Sequence, residues 1–199
     1  FTGNDTLYGD AGADYIDGAS GADYLSGGDG GDVLYGQAGD DFIDDRGTDL
    51  GADILVGGDG HDTIHAHAGN DRAYGGNGDD LIRGFTGNDT LYGDAGADYI
   101  DGGVGSDYIA GGAEDDILTG SLGADIFVFS NSDGATSDDV ITDFELGTDK
   151  FYLIGLTVAK ITDTGADGDM SAGDVFVTFS DDSSVLLLGI TGLQESELY

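Results

Sequence analysis

The sequence predicts an all-β protein: short parallel strands stacked into a flattened solenoid, followed by a small β-rich cap. Three observations carry this. An aspartate recurs every nine residues as far as Asp125, an apolar side chain stands two places after each, and glycine crowds the positions between. After Phe129 the nonapeptide stops, and lysine appears for the first time at Lys150 and Lys160.

The register is readable aspartate by aspartate. Asp5, Asp14, Asp23, Asp32 and Asp41 stand nine apart, and so do Asp53, Asp62, Asp71, Asp80, Asp89, Asp98, Asp107, Asp116 and Asp125. The step from Asp41 to Asp53 is twelve, so three extra residues enter one turn, within DDRGTDLG at 44–51. That slip explains why the opening FTGNDTLYGDAGADYIDG returns at Phe85: the offset of 84 residues is nine repeats plus three. Two places after each aspartate come Leu7, Ile16, Leu25, Leu34, Ile43, Leu55, Ile64, Ile82, Leu91, Ile100, Ile109, Leu118 and Phe127, with Ala73 the one small exception.

Gly- and Asp-rich sequence is often disordered, because high net charge and low hydrophobicity favour an expanded chain. Here the large apolar residue keeps one phase through thirteen of fourteen units, which a linker has no reason to do. Strand side chains alternate faces, so the three residues around each apolar position form a strand with one inward and two outward side chains. The glycines lie where the chain must reverse.

Written as G-G-x-G-x-D-x-U-x, the unit is clearest in GGDGHDTIH at Gly57 to His65 and GGNGDDLIR at Gly75 to Arg83. It resembles the calcium-binding RTX nonapeptide. That resemblance implies a right-handed parallel β-roll, with two units per coil and the fourteen aspartates from Asp5 to Asp125 as calcium ligands. Glycine-rich turns that aim carbonyls inward, with an Asp oxygen added, make the hard all-oxygen shell that calcium prefers. One ion between neighbouring turns on each edge gives about twelve ions, or ~24 positive charges against a formal charge of -36. Some turns depart from the pattern. Glu114 replaces a glycine, Ala66 and His67 replace a glycine pair, and the inserted turn loses its pair. Those turns are expected to hold weak or empty sites, and Asp45, in the inserted turn, is expected to matter little.

Composition supports the same reading by exclusion. With 41 acidic residues against five basic ones, the chain repels phosphate backbones and anionic lipid surfaces, so nucleic acid is not an expected partner. Cysteine is absent, which removes disulfides and Cys-ligated metal sites. No HExxH, GxSxG or GK[ST] occurs, and the acidic pairs recur with the repeat rather than converging, so no enzyme active site is expected. His61, His65 and His67 are the only histidines. His65 falls at an outward strand position and His67 in a turn, so they read as surface decoration.

Beyond the repeats, DVITDFELGTDKFYLIGL at Asp139 to Leu156 resembles the capping segment of RTX exoproteins such as the serralysin-type proteases. DVFVTFSDDSSVLLLGI at Asp174 to Ile190 reads as two strands around a turn at Ser180 to Ser183. The final ESELY is similar to the ends of type I secretion substrates. DTGADGDMSAGD partly matches an EF-hand loop, which makes Asp163, Asp167, Asp169 and Asp174 candidate metal ligands. Gly165 takes one ligand place in that loop, and Asp174 stands where a bidentate Glu belongs.

The expected organisation is a roll over 1–129 and a capping and secretion segment over 130–199. Phe1 in place of an initiator Met suggests a piece of a longer exoprotein with an upstream effector domain. The resemblance implies a secreted, extracellular, non-catalytic module that folds on calcium and is delivered by type I secretion machinery. The alternative is a carbohydrate-binding module like those of alginate epimerases, with an extracellular glycan as partner. One sheet is expected to present Tyr15, Val33, Tyr35, Ile54, Val56, Tyr74, Tyr92, Tyr108, Ile126 and Val128 outward, and the other sheet to be more polar.

Overall fold

The computed structural model describes residues 2–46, 50–132, 137–163, 175–188, 190 and 196. Its strands, in chain order, are β1 (Thr6–Ala11), β2 (Tyr15–Asp17), β3 (Tyr24–Asp29), β4 (Val33–Ala38), β5 (Phe42–Asp44), β6 (Ile54–Asp59), β7 (Thr63–His65), β8 (Arg72–Asn77), β9 (Leu81–Thr86), β10 (Thr90–Ala95), β11 (Tyr99–Val104), β12 (Tyr108–Ala113), β13 (Ile117–Leu122), β14 (Ile126–Ser130), β15 (Asp138–Ile141), β16 (Lys150–Ile154), β17 (Val158–Asp163), β18 (Val175–Phe179) and β19 (Ser184–Leu187). Odd strands β1 to β15 stack in one sheet and even strands β2 to β16 in the other. The result is a parallel β-solenoid of about seven turns.

The repeat becomes the register. Leu7 lies beside Leu25, and Leu91 beside Ile109, eighteen residues on. Across the insertion the step grows to 21, pairing Leu34 with Leu55 and Ile43 with Ile64. The strands stay in phase across it, and Leu50, in that turn, is 84% exposed. A slip of one residue within a strand would instead turn every inward side chain out.

Each strand from β1 to β13 contributes one side chain to a narrow core between the sheets. Leu25, Leu34, Ile43, Leu55, Ile64, Ala73, Ile82, Leu91, Ile100, Ile109, Leu118 and Phe127 are fully buried in single file. One apolar side chain per strand is little burial for so many ordered, glycine-rich residues.

The stacking continues beyond the last nonapeptide. β15 pairs with β13 and β16 with β14, both parallel and in phase, so Ile141 follows Leu118 and Phe151 follows Phe127. β19 then lies parallel to β15, and β18 and β17 add antiparallel strands beyond it. The expected hairpin around Ser180 to Ser183 is therefore present as β18 and β19. Phe129, Phe144, Phe151 and Phe179 close this end as a cluster of rings 5.1–6.3 Å apart. Aromatic burial in the cap is thus denser than in the roll.

The outer faces differ from expectation in two places. Val128 is buried, only 5% exposed, beside Tyr152 of β16, whereas Tyr15 and Ile126 do face outward. The odd sheet, expected to be the more polar one, carries a ring row of its own through Tyr8, Tyr24, Phe42 and His65.

Candidate metal centre

Each repeat aspartate sits just before its strand, at the end of the glycine-rich turn, with its side chain turned inward. Among them Asp23, Asp32, Asp41, Asp53, Asp62, Asp71, Asp80, Asp89, Asp98, Asp107, Asp116 and Asp125 are buried. Asp5 and Asp14, in the first coil, are half-buried. The two carboxylate oxygens divide the work.

Oδ1 accepts the backbone N–H of the aspartate one coil earlier. Asp23 donates to Asp41 at 2.8 Å, Asp62 to Asp80 at 2.7 Å, Asp80 to Asp98 at 2.8 Å and Asp89 to Asp107 at 2.8 Å. The ladder spans the insertion, where Asp32 and Asp41 donate to Asp53 and Asp62 at 2.7 Å. It also outruns the repeats. Asp116 donates to Asp139 and Asp125 to Asp149, each at 3.0 Å. Asp139 and Asp149 were missed as ladder members because their spacing is irregular. Their signal is the retained D-x-U in Asp139-Val140-Ile141 and Asp149-Lys150-Phe151.

Oδ2 has a different fate. In Asp5, Asp14, Asp23, Asp41, Asp62, Asp71, Asp80, Asp89, Asp98 and Asp107 it is buried and has no hydrogen-bond partner. A buried carboxylate oxygen without a partner is costly, more so when like charges are stacked along one edge. Burial accordingly pushes the Asp41, Asp80, Asp89 and Asp107 carboxyls up to about 6 and those of Asp62, Asp71, Asp98 and Asp125 up to about 7.

The first glycine of each turn marks where these oxygens point. A Cβ on Gly36 would run into Asp41 Oδ2 and lie 2.8 Å from the Gly57 carbonyl oxygen; one on Gly75 would meet Asp80 Oδ2 and lie 2.7 Å from that of Gly93. Carboxylate and carbonyl oxygens from successive coils therefore converge on one small space, kept open by the missing side chain. All-oxygen, anionic and tightly bounded, it fits a hard divalent cation of calcium's kind.

The RTX calcium-binding nonapeptide repeat (4 copies) matches residues 2–25, 17–44, 48–82, 74–109 and 101–131, well over half of the chain. The chain belongs to the RTX calcium-binding repeat family. Among solved structures, this RTX roll is similar to the extracellular lipase LipA from Serratia marcescens. Identity is 23% and the TM-score 0.49, over 96% of this chain and 39% of the lipase chain. The RTX chain thus spans well under half of that lipase's length. A comparison with curated proteins finds no match.

Two groups differ from the regular turns. Asp45 occupies the place of the first glycine in the inserted turn. Its carboxylate is buried, accepts the Gly28 N–H at 2.8 Å, and lies with those of Asp32 and Asp53 inside a 4.8 Å cluster. Burial and the neighbouring Asp53 push its carboxyl up to about 8. The expectation that Asp45 matters little assumed a broken register at this residue, whereas its carboxylate lies beside those of Asp32 and Asp53. The second group is Asp44, His65 and His67, which the fold brings together although the sequence gives no sign that they face one another. Of the candidate EF-hand-like ligands, Asp163 ends β17, while Asp167, Asp169 and Asp174 lie outside the described residues.

Proposed function

We propose that this RTX roll is a non-catalytic folding and secretion module, disordered at low calcium inside the cell and folded by calcium outside it. The observation that carries the reading is the buried, unpartnered Oδ2 repeated coil after coil. A chain of formal charge -36 with one core side chain per strand has little means of holding those carboxylates ionised and together without cations. The repeat aspartates from Asp5 to Asp125 would supply Oδ2 and the turn glycines their carbonyls. About twelve bound calcium ions would neutralise most of the repulsion, and binding free energy would become folding free energy. Extracellular calcium modules typically respond near ~0.1–1 mM, well above cytosolic levels.

Membership of the RTX family supports delivery by a type I system as part of a larger secreted protein, the effector lying elsewhere in that polypeptide. The test is a calcium titration followed by far-UV circular dichroism. The expected outcome is a disordered spectrum in chelator and a steep, multi-ion gain of strand signal. A fully folded roll without calcium would overturn the proposal.

A second reading, glycan binding, is favoured by the tyrosine row on the even sheet. Tyr74 stacks on Tyr92 at 5.1 Å, and Tyr108 follows at 5.9 Å, half-buried rings of the kind that sugars stack on. Isotherms with alginate and neutral glycans at millimolar calcium separate the two: saturable binding that Tyr92→Ala removes supports the second reading, and no binding leaves the first.

A further inference from the structure

We propose that Asp44, His65 and His67 form a binding site for one transition-metal ion of the zinc class, distinct from the calcium turns, clamping two successive coils where the register slips. Asp44 ends β5 and His65 ends β7, and the two are direct cross-strand partners on the outer face of the odd sheet. His67 follows in the turn, with a left-handed φ of 69°; Asp10, Gln37 and Phe85 are left-handed at the same place in their turns.

The distances suit such an ion. Asp44 Oδ1 lies 2.7 Å from His67 Nε2 and 3.6 Å from His65 Nδ1, and ligand atoms of all three residues fall within 4.8 Å of one another. Ligands bonded at ~2.0–2.1 Å to a tetrahedral ion stand roughly 3.3 Å apart, so small side-chain adjustments complete the set and leave a fourth position to water. Two imidazoles and one carboxylate favour zinc, nickel or copper, whereas calcium takes oxygen ligands.

The surroundings are those of a built site. Asp44 is nearly fully buried, and its other oxygen, Oδ2, pairs with Arg46 Nε and accepts the Tyr24 hydroxyl at 3.3 Å, which turns Oδ1 toward the histidines. Phe42 packs edge-on against His65, and Phe85 stacks on His67 at 4.9 Å with the rings 2° apart. The imidazoles are thereby oriented before any ion arrives. His65 Nδ1 faces Asp44 Oδ1, and its Nε2 is buried. The clamp also has a structural rationale. The glycine that begins the other turns on this edge, as at Gly27 and Gly84, is replaced by Asp45 and Ala66 in consecutive coils.

The test uses the full chain, folded in saturating calcium. Zn2+ is titrated by calorimetry, and Co2+ is added to separate samples to read ligand geometry from its visible absorption. The expected result is one Zn2+ equivalent well above the weak background of surface carboxylates, with the intense bands of four-coordinate Co2+. His67→Asn, which tolerates the left-handed backbone, and His65→Ala should each weaken Zn2+ by at least about 10–100-fold, while His61→Ala should change nothing. His67 is one-third exposed, so its variant is the decisive one should His65→Ala disturb packing. Unchanged Zn2+ affinity in His67→Asn, or a Co2+ spectrum of the weak octahedral kind in the wild type, overturns the proposal.

Discussion

The Asp80 amide donates to Asp98 Oδ1 at 2.8 Å, while Asp98 Oδ2 is buried with no partner, so one side chain serves the backbone with one oxygen and faces the turn with the other. Asparagine can replace the first role but not the charge of the second. Both Asp98→Asn and Asp98→Ala should raise the calcium midpoint for folding. At saturating calcium, Asp98→Ala should be the less stable of the two by about 0.5–1.5 kcal/mol, the worth of one hydrogen bond. Denaturant melts of the pair check this; equal stabilities would mean that the ladder bond contributes nothing.

Asp45 supplies a contrast between sequence position and location in space. Its carboxylate joins Asp32 and Asp53, so Asp45→Ala should raise the calcium midpoint by an amount comparable to Asp98→Ala. Asp40→Ala, which removes an equal but exposed charge, should shift it far less. Similar shifts for Asp40 and Asp45 would assign the effect to bulk charge.

Protons and calcium should compete for the same oxygens. Folding raises the carboxyls of Asp41, Asp80, Asp89 and Asp107 to about 6 and of Asp62, Asp71, Asp98 and Asp125 to about 7, from 3.8. Because the folded state then holds more protons than the unfolded one, this contribution to stability is complete below the unfolded value of 3.8. It is lost as pH rises through 6–7. In chelator, the chain should accordingly gain strand signal as pH falls through 6–7 and be disordered by about pH 8. With calcium present, the folding midpoint should likewise fall as pH falls from 7 toward 5, because protons held only by the folded state replace part of the calcium that folding needs. Circular dichroism over a pH and calcium grid reads both; a pH-independent midpoint would contradict them.

The cap finishes the ladder that the repeats begin. Asp139 and Asp149 accept the last two aspartate amides, and Phe144 and Phe151 cover Phe127. A chain ending at Phe129 loses those acceptors and leaves its end coil open, which solenoids tolerate poorly. It should remain disordered at a calcium concentration that folds the intact chain, and a separate Ser130 to Tyr199 fragment should partly restore folding. Identical midpoints and cooperativity for the truncated and full chains would make the cap a passive tail.

Periodicity alone specifies most of this molecule, because a nonapeptide that repeats in sequence repeats in space. The phase of Leu7, Ile16 and Leu25 sets the core, the aspartate phase sets the ladder, and the twelve-residue step at Asp41 locates the repeat that carries extra residues. Wherever the period fails, sequence distance no longer reports position. Asp139 and Asp149 stand 23 and 24 residues from the aspartates whose amides they accept, yet they extend the same ladder because strand pairing carries the phase across irregular loops. Asp44 and His65 are 21 residues apart with no local motif, and they meet because an inserted loop leaves the strands on either side of it in register. The burial of Val128 and the placement of Asp45 have the same origin. Both depend on which neighbouring coil or cap segment packs against them, a long-range contact with no counterpart in the local pattern.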